Sequence, residues 1–487
     1  MTGLRELTGK VEVTRSIIWF RRDLRLADNA ALAAAIRQGE VIPAFVIDPV
    51  LLNSDRVGAK RVAWLAANLR ELDRSLRQRG SRLIVRRGEP ATELLKLARE
   101  TGATNVHFNL DLTPFARKRD QRVALELEAH GVTVEAFDDM TIHHPEDIVT
   151  LTGRPYQVFT AFKKAWLTRP KPAADEAESL PAHMPLPVEV ASLLIDFDES
   201  FELPAAGEDA ALDRLNSFLE ETIYGYGEGR NLLDRAATSF LSPYLRVGAL
   251  SIRQAYWGAK AAIDLATDKA AQQGAEAWLN ELVWREFYMA LLYHFPHTID
   301  QPLREQYRDF EWLEDNDAFA AWREGRTGYP VVDAAMRMLN ATGWMHNRAR
   351  MIVASFLTKD LLIDWRQGER YFMQQLIDGD SASNAGGWQW AAGVGADAQP
   401  FFRVFNPTLQ GQRFDPDGVF VKQWLPELAN VPIEWVHEPW KMKPADQQKY
   451  GVIIGRDYPA PIIEHSFARD RALRHYRHRN SAKAAAA

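Results

Sequence analysis

The sequence predicts an α/β half, a long connector and an all-helical half, and three observations carry that division. Short β-branched and aromatic runs alternate with amphipathic helices up to about residue 140; prolines crowd the stretch from Thr168 to Gly207; beyond it the strand signals stop. At 487 residues the chain exceeds the roughly 250–300 at which a single core stops growing, so two or more domains are expected.

The strand runs come first: "SIIWF" (Ser16–Phe20), "VIPAFVI" (Val41–Ile47), "RLIVR" (Arg82–Arg86), "NVHF" (Asn105–Phe108) and "VTVEAF" (Val132–Phe137). Between Lys60 and Arg79, Val62, Leu65, Leu69, Leu72 and Leu76 recur at helical three-and-four spacing. Strands alternating with helices imply right-handed crossovers and a doubly wound parallel sheet. Such sheets bind ligands beyond the carboxyl ends of their strands. "FRRDLRLADN" stands where a G-x-G-x-x-G would follow the first strand, so a standard dinucleotide site is not expected there. Pro170, Pro172, Pro181, Pro185, Pro187 and Pro204 then forbid regular helix. After them "EDAALDRLNSFLEE", "AEAWLNELVWREFYMALLYHF", "YPVVDAAMRMLNATG" and "NRARMIVASFLTKDLLI" all carry helical periodicity. The expected divisions are 14–140 for the α/β domain, 141–207 for the connector, 208–480 for the helical domain and 481–487 for a disordered tail. The basic "ARDRALRHYRHRN" before the end reads as frayed.

Composition narrows the chemistry. The chain is 46% hydrophobic and 25% charged, the profile of a globular protein. No stretch nears the roughly 20 apolar residues of a membrane span, and "MTGLRELTGK" lacks a secretory apolar segment, so a cytoplasmic protein is expected. Zero cysteines exclude disulfides, zinc–thiolate sites, iron–sulfur clusters and thiol nucleophiles, leaving redox work to a cofactor or to aromatic side chains. A net charge of −6 argues against a uniformly basic nucleic-acid coat but permits a basic patch.

Several stretches carry groups suited to a ligand. In "TSFLSPYLRVGALS" Thr238, Ser239 and Ser242 precede an apolar run; they suit a phosphate, although hydroxyls there commonly cap a helix. In "WLNELVWREFY" helical spacing puts Trp278, Glu281, Trp284, Arg285 and Tyr288 near one face, either a nucleobase reader or a helix with a surface Glu–Arg pair. "GWMHNRARM" and "DGDSASN" add Asn347, Arg350, Asp378, Asp380 and Asn384. The D-x-D pair lacks the remaining ligands of a calcium loop, so no metal is expected. Hydrolase, zinc-protease and kinase motifs are missing from the sequence.

Together with "IIWFRRDLRLADNAAL", "TGYPVVDAAMRMLNATGWMHNRARMIVASFLTKDLLIDWRQGERYF" and "LIDGDSASNAGGWQWAAGVGADAQPFFRVFNP", these stretches resemble the photolyase/cryptochrome flavoproteins over nearly the whole chain, and among them the microbial class I cyclobutane-pyrimidine-dimer photolyases. The resemblance implies an antenna domain, a connector and a helical domain holding U-shaped FAD. It implies FAD contacts from Tyr226, Thr238, Ser239, Phe240, Leu241, Ser242 and Trp278, an Arg350–Asp378 ion pair beside the flavin, Asp380 on the same loop, and Asn384 facing the flavin's central-ring nitrogen. An electron-hopping chain would run outward from Trp388 through Trp365 to Trp312.

The same resemblance implies light-driven repair of dimers in UV-damaged DNA. Glu281 would hydrogen-bond the flipped bases; Trp284 and Trp390 would pack on the dimer; Met345 and Asn347 would line the pocket; and Arg230, Arg285, Arg348 and Arg403 would meet phosphates. Gly386 and Gly387 read as a place where backbone passes close to the flavin. Adjacent alternate residues on a helix point about 200° apart, so Trp388 and Trp390 need not share a partner. Where the family often has two asparagines, the second here is Ala385. Phe115-Ala116 replaces the Asn-Glu pair of the folate type, so an 8-hydroxy-5-deazaflavin antenna is favoured over methenyltetrahydrofolate, with an empty or flavin-filled site as alternatives. The expected state is a monomer with no obligate protein partner and no membrane association. Two other readings stand beside repair of cyclobutane dimers. One is a cryptochrome-type blue-light sensor, against which the tail after Tyr476 is short. The other is a 6-4 photoproduct photolyase, for which a histidine pair is expected but Met345 stands beside His346.

Overall fold

Apolar runs that are buried on both sides need helices on both sides, and the first 140 residues supply them. In the computed structural model, which describes residues 14–486 apart from 173–179, 197–199, 399 and 401, five strands form one parallel sheet in the order β3-β2-β1-β4-β5. They are β1 (Thr14–Phe20), β2 (Gly39–Ile47), β3 (Ile84–Arg87), β4 (Asn105–Asn109) and β5 (Thr133–Phe137). Register pairs Ile17 with Ile42 and Val106, and Trp19 with Ala44. Successive residues alternate between two cores: Ile17, Trp19, Ile42, Val106 and Phe108 face one, while Ile18, Phe20, Val41, Phe45 and Val85 face the other.

Helices α1 (Ala30–Gln38), α2 (Ala59–Arg77), α3 (Pro90–Thr101) and α4 (Pro114–Glu128) cover the two faces. Their starts are local: Asn29 accepts from the Leu32 N–H, and Thr113 caps α4 with Pro114 behind it. The second core continues into the helical half, where Tyr244, Val247, Trp278, Leu282 and Phe287 join it. A separate core in the C-terminal half gathers Trp322, Met336, Phe356, Trp365, Phe372 and Trp388.

The 141–207 connector includes helix α5 (Phe159–Thr168), anchored by buried Phe162 and Trp166, ahead of the proline-rich stretch that starts at Thr168 as expected. One expectation needs correction. The basic end is not frayed, nor is 481–486 irregular: a helix runs from His465 to Ala486 and buries Ala468, Ala472 and Tyr476. Alanine and long side chains are good helix formers, and burying one face every three or four residues anchors them. Ala487 lies outside the described residues.

Candidate functional site

Between the two helical cores lies a cavity of about 490 Å³, within the range of small-molecule and cofactor sites. Helix α6 (Lys269–His294) supplies one wall, because Trp278, Glu281, Trp284, Arg285 and Tyr288 return to the same face every three or four residues. Thr238 to Ser242 form a second wall. Phe240 sits there at φ +56, a left-handed conformation unusual for a side chain with a Cβ, while Arg214 holds the Ser239 carbonyl at 2.8 Å. Helices α7 (Asn347–Ser355), α8 (Trp365–Gln375) and α9 (Ser381–Ala392) close the rest with Asn347, Arg350, Phe372, Asn384, Trp388 and Trp390. Tyr226, Arg230, Met345, Asp378 and Asp380 also lie on this surface, while Trp312, Trp365, Arg348 and Arg403 do not.

The polar groups are held in defined orientations. Asp378 Oδ2 accepts from Ser242 Oγ at 2.6 Å and from Arg350 Nη2 at 2.8 Å, while its Oδ1 is buried with no partner. The Asn384 amide nitrogen donates to the carbonyl and carboxylate of buried Glu369 at 2.9 and 3.0 Å, which turns its Oδ1 into the group left to accept from a ligand N–H. Asp380 caps α9 through the Ala382 and Ser383 N–H groups. Burial alone would raise its pKa, but Arg22 and Arg246 outweigh that and hold the carboxyl far below the usual range. Burial, then Arg22, lowers Arg246 to about 9.

Toward the mouth, Glu281 pairs with Arg230 at 2.6 Å; burial pushes its carboxyl upward and Arg230 opposes it. Met345 is fully buried. Buried Trp388 packs edge-on against Phe372 at 5.0 Å. It shares its core with Trp365, which is wholly buried, and Trp312 packs against that core while half-exposed. Trp388 thus lines the cavity, and Trp312 reaches the surface.

Some expectations fall elsewhere. Arg285 is not on a rim: it lies inside the cavity, donates to the Met140 carbonyl at 2.8 Å and faces Asp380. Arg348 donates to Asn231 Oδ1 at 2.6 Å and covers the Phe414 ring, outside the cavity lining. Arg403 is exposed on the segment after α9, its carbonyl held by buried Lys359 at 2.8 Å. Trp388 and Trp390 both line the cavity, one from the core and one half-exposed. The glycine pair also divides: a side chain at Gly387 would enter open space, whereas one at Gly386 would strike the Tyr288 ring. Close packing on Tyr288 is what requires Gly386.

Sequence reasoning missed Arg22 and Arg246. Arg22 leaves β1 at its carboxyl end and donates to Asp380 at 2.6 Å, joining the sheet to the cavity. Three arginines in "RRDLR" directly after a buried strand were the available signal.

The residues that line the cavity fit FAD. The oriented Asn384 amide oxygen matches an N–H of a heterocycle, the hydroxyls of Thr238 to Ser242 suit a phosphate, and the bare backbone at Gly387 leaves room for a ring. A doubly wound domain docked on helices that enclose such a cavity defines a two-domain flavin-binding protein. Family models agree: residues 16–183 match "DNA photolyase" and residues 278–478 match "FAD binding domain of DNA photolyase". A deoxyribodipyrimidine photo-lyase of Synechococcus sp. is 42% identical over 92% of this chain and 94% of its own length. Cryptochrome-1 of Arabidopsis thaliana is 36% identical over 92% of this chain and 68% of its own length. A bacterial class III photolyase from Agrobacterium tumefaciens superposes with a TM-score of 0.90 at 38% identity, covering 98% of this chain and all of that one. The chain belongs to the DNA photolyase family. Among the described residues no helix is long and apolar enough to cross a membrane.

Proposed function

We propose that this protein repairs cyclobutane pyrimidine dimers in DNA by light, with FAD in the cavity. One observation carries the reading: a single undivided cavity holds both the polar set suited to FAD (Asp378, Asn384, Thr238 to Ser242) and an aromatic–carboxyl set suited to an extruded pair of bases (Glu281, Trp284, Met345, Trp390). FAD bound in reduced form would supply, on excitation, the electron whose loan opens the cyclobutane ring.

The residues' work derives from their surroundings. Arg350 and Ser242 fix the Asp378 carboxylate on the cavity wall, where the ion pair would lie beside the flavin. Asn384 offers only an acceptor, which favours a ring nitrogen that carries hydrogen. At the mouth, Glu281 is balanced between burial and Arg230, so it can hold a proton toward a base carbonyl or stay ionised against the guanidinium. Trp388, Trp365 and Trp312 give an electron route to the surface. For the antenna we favour 8-hydroxy-5-deazaflavin, since exposed Phe115 and buried Ala116 offer no amide–carboxyl pair to a folate.

The similarity to a plant cryptochrome supports a light-sensor reading as the second choice. The 6-4 reading has less support: His346 caps α7, accepting from the Arg348 N–H, and is not part of the cavity lining. The test is illumination of the FAD-reduced protein with an oligonucleotide carrying one thymine dimer. Repair is expected in blue light only, and reduced protein that leaves the dimer intact overturns the proposal. Glu281→Gln is expected to slow repair with FAD content unchanged, and Trp388→Phe to suppress photoreduction.

A further inference from the structure

Trp284 does not stand free in the cavity wall. The ring of Phe159, the first residue of α5, lies flat on it, with centroids 3.7 Å apart and planes 6° apart. A face-to-face sandwich is the less favoured way for two aromatic rings to meet, so the surroundings must hold it. On one side Phe287 stands edge-on to both rings, at 5.8 Å from Phe159 and 5.6 Å from Trp284. On the other, the Asp397 carboxylate accepts from the Phe159 N–H, and the Asp397 N–H donates to the Gln157 carbonyl at 3.2 Å. Asp397 does so at φ +43, a conformation tolerated by Asp but uncommon. The segment after Trp390 is therefore fastened to the start of α5.

The stack is not what docks α5. Phe162, one turn on, is buried against Phe287 at 5.3 Å, and buried Trp166 donates its indole N–H to Glu286 at 2.6 Å. Phe159 and Trp284 are both only partly buried, and Trp284 lines the cavity with Phe159 stacked behind it. We infer that Phe159 is a positioning residue for lesion recognition: it occupies one face of Trp284 and fixes the plane in which the other face and edge meet an extruded pyrimidine pair. The inference rests on the repair reading and adds a residue from the connector to the lesion site. Fixing the indole beforehand removes an ordering cost from binding, and that cost is specific to the damaged base.

The test uses the FAD-loaded full chain in the dark. Binding of a single-stranded oligonucleotide with one thymine dimer is compared with the same oligonucleotide undamaged, for wild type, Phe159→Leu, Phe159→Tyr and Trp284→Leu with and without Phe159→Leu. Phe159→Leu is expected to lower the dimer preference by roughly three- to tenfold, the size of an aromatic pairing, with undamaged binding, FAD content and thermal midpoint unchanged. Phe159→Tyr keeps the preference, and Phe159→Leu has no further effect once Trp284 is gone. A Phe159→Leu protein that retains the wild-type preference overturns the inference alone. So does a loss accompanied by equal loss of FAD or midpoint, or one that Phe159→Tyr shares. A wild-type chain without dimer preference overturns the repair reading and this inference with it.

Discussion

The crevice at the carboxyl edge of the sheet and the cavity in the helical half are both places where their folds bind ligands, yet only one is built to receive. At the switch point between β1 and β4, Arg21 donates to Asp120 and to the Asn109 carbonyl, Asn109 donates to Asp23 and Asn29, and Arg25 pairs with Asp139. The protein's own ions fill that crevice. In the helical cavity, by contrast, Asp378, Asn384 and the Thr238 to Ser242 segment line about 490 Å³ of open space.

Perturbing each region separates the two roles. The largest effect is expected from Asp378→Asn, which removes the charged partner of the part-exposed Arg350 guanidinium and is seen as chains purified almost free of flavin absorbance. Next comes pH. Burial, then Arg348 and Arg350, lower His346 to about 4, against about 6.5 unfolded. As pH falls through that window the unfolded chain takes the proton and the folded chain does not, so stability is lost between about pH 6.5 and 4 and levels off below. The loss is roughly 3 kcal/mol, and His346→Asn, which can still cap α7, should flatten it in thermal unfolding tracked against pH.

In the crevice, Arg21→Met is expected to lower stability by about 2–3 kcal/mol, because Arg119 still faces Asp120 at 2.8 Å, while flavin per folded chain stays at the wild-type level. Flavin loss in step with stability would merge the two regions into one site. The smallest effect belongs to the exposed rim: Arg403→Ala should weaken binding to damaged and undamaged DNA alike and reduce the slope of log affinity against log salt by about one.

Much of this was legible because it depends on local periodicity. Trp278, Glu281, Trp284, Arg285 and Tyr288 line one wall because a helix returns every 3.6 residues, and five strands with intervening helices leave few topologies to choose from. The family resemblance assigned Asp378, Arg350 and Asn384 to the same pocket in which they meet. Spacing did not reveal the depth of a side chain along that wall. Arg285 sits one residue from Trp284 in sequence, yet it points to Asp380 and Met140 instead of to a DNA rim.

By itself, then, the sequence determined the two kinds of half, the helix faces that carry chemistry and the family motifs, since each is a property of neighbours along the chain. Tertiary structure alone decided how the halves meet. Arg22 reaches Asp380 from 358 positions away, Phe159 of the connector covers Trp284, and Gly386 is required by the Tyr288 ring. Each contact depends on the angle and distance at which separate elements dock, which packing of whole cores sets and no local pattern records.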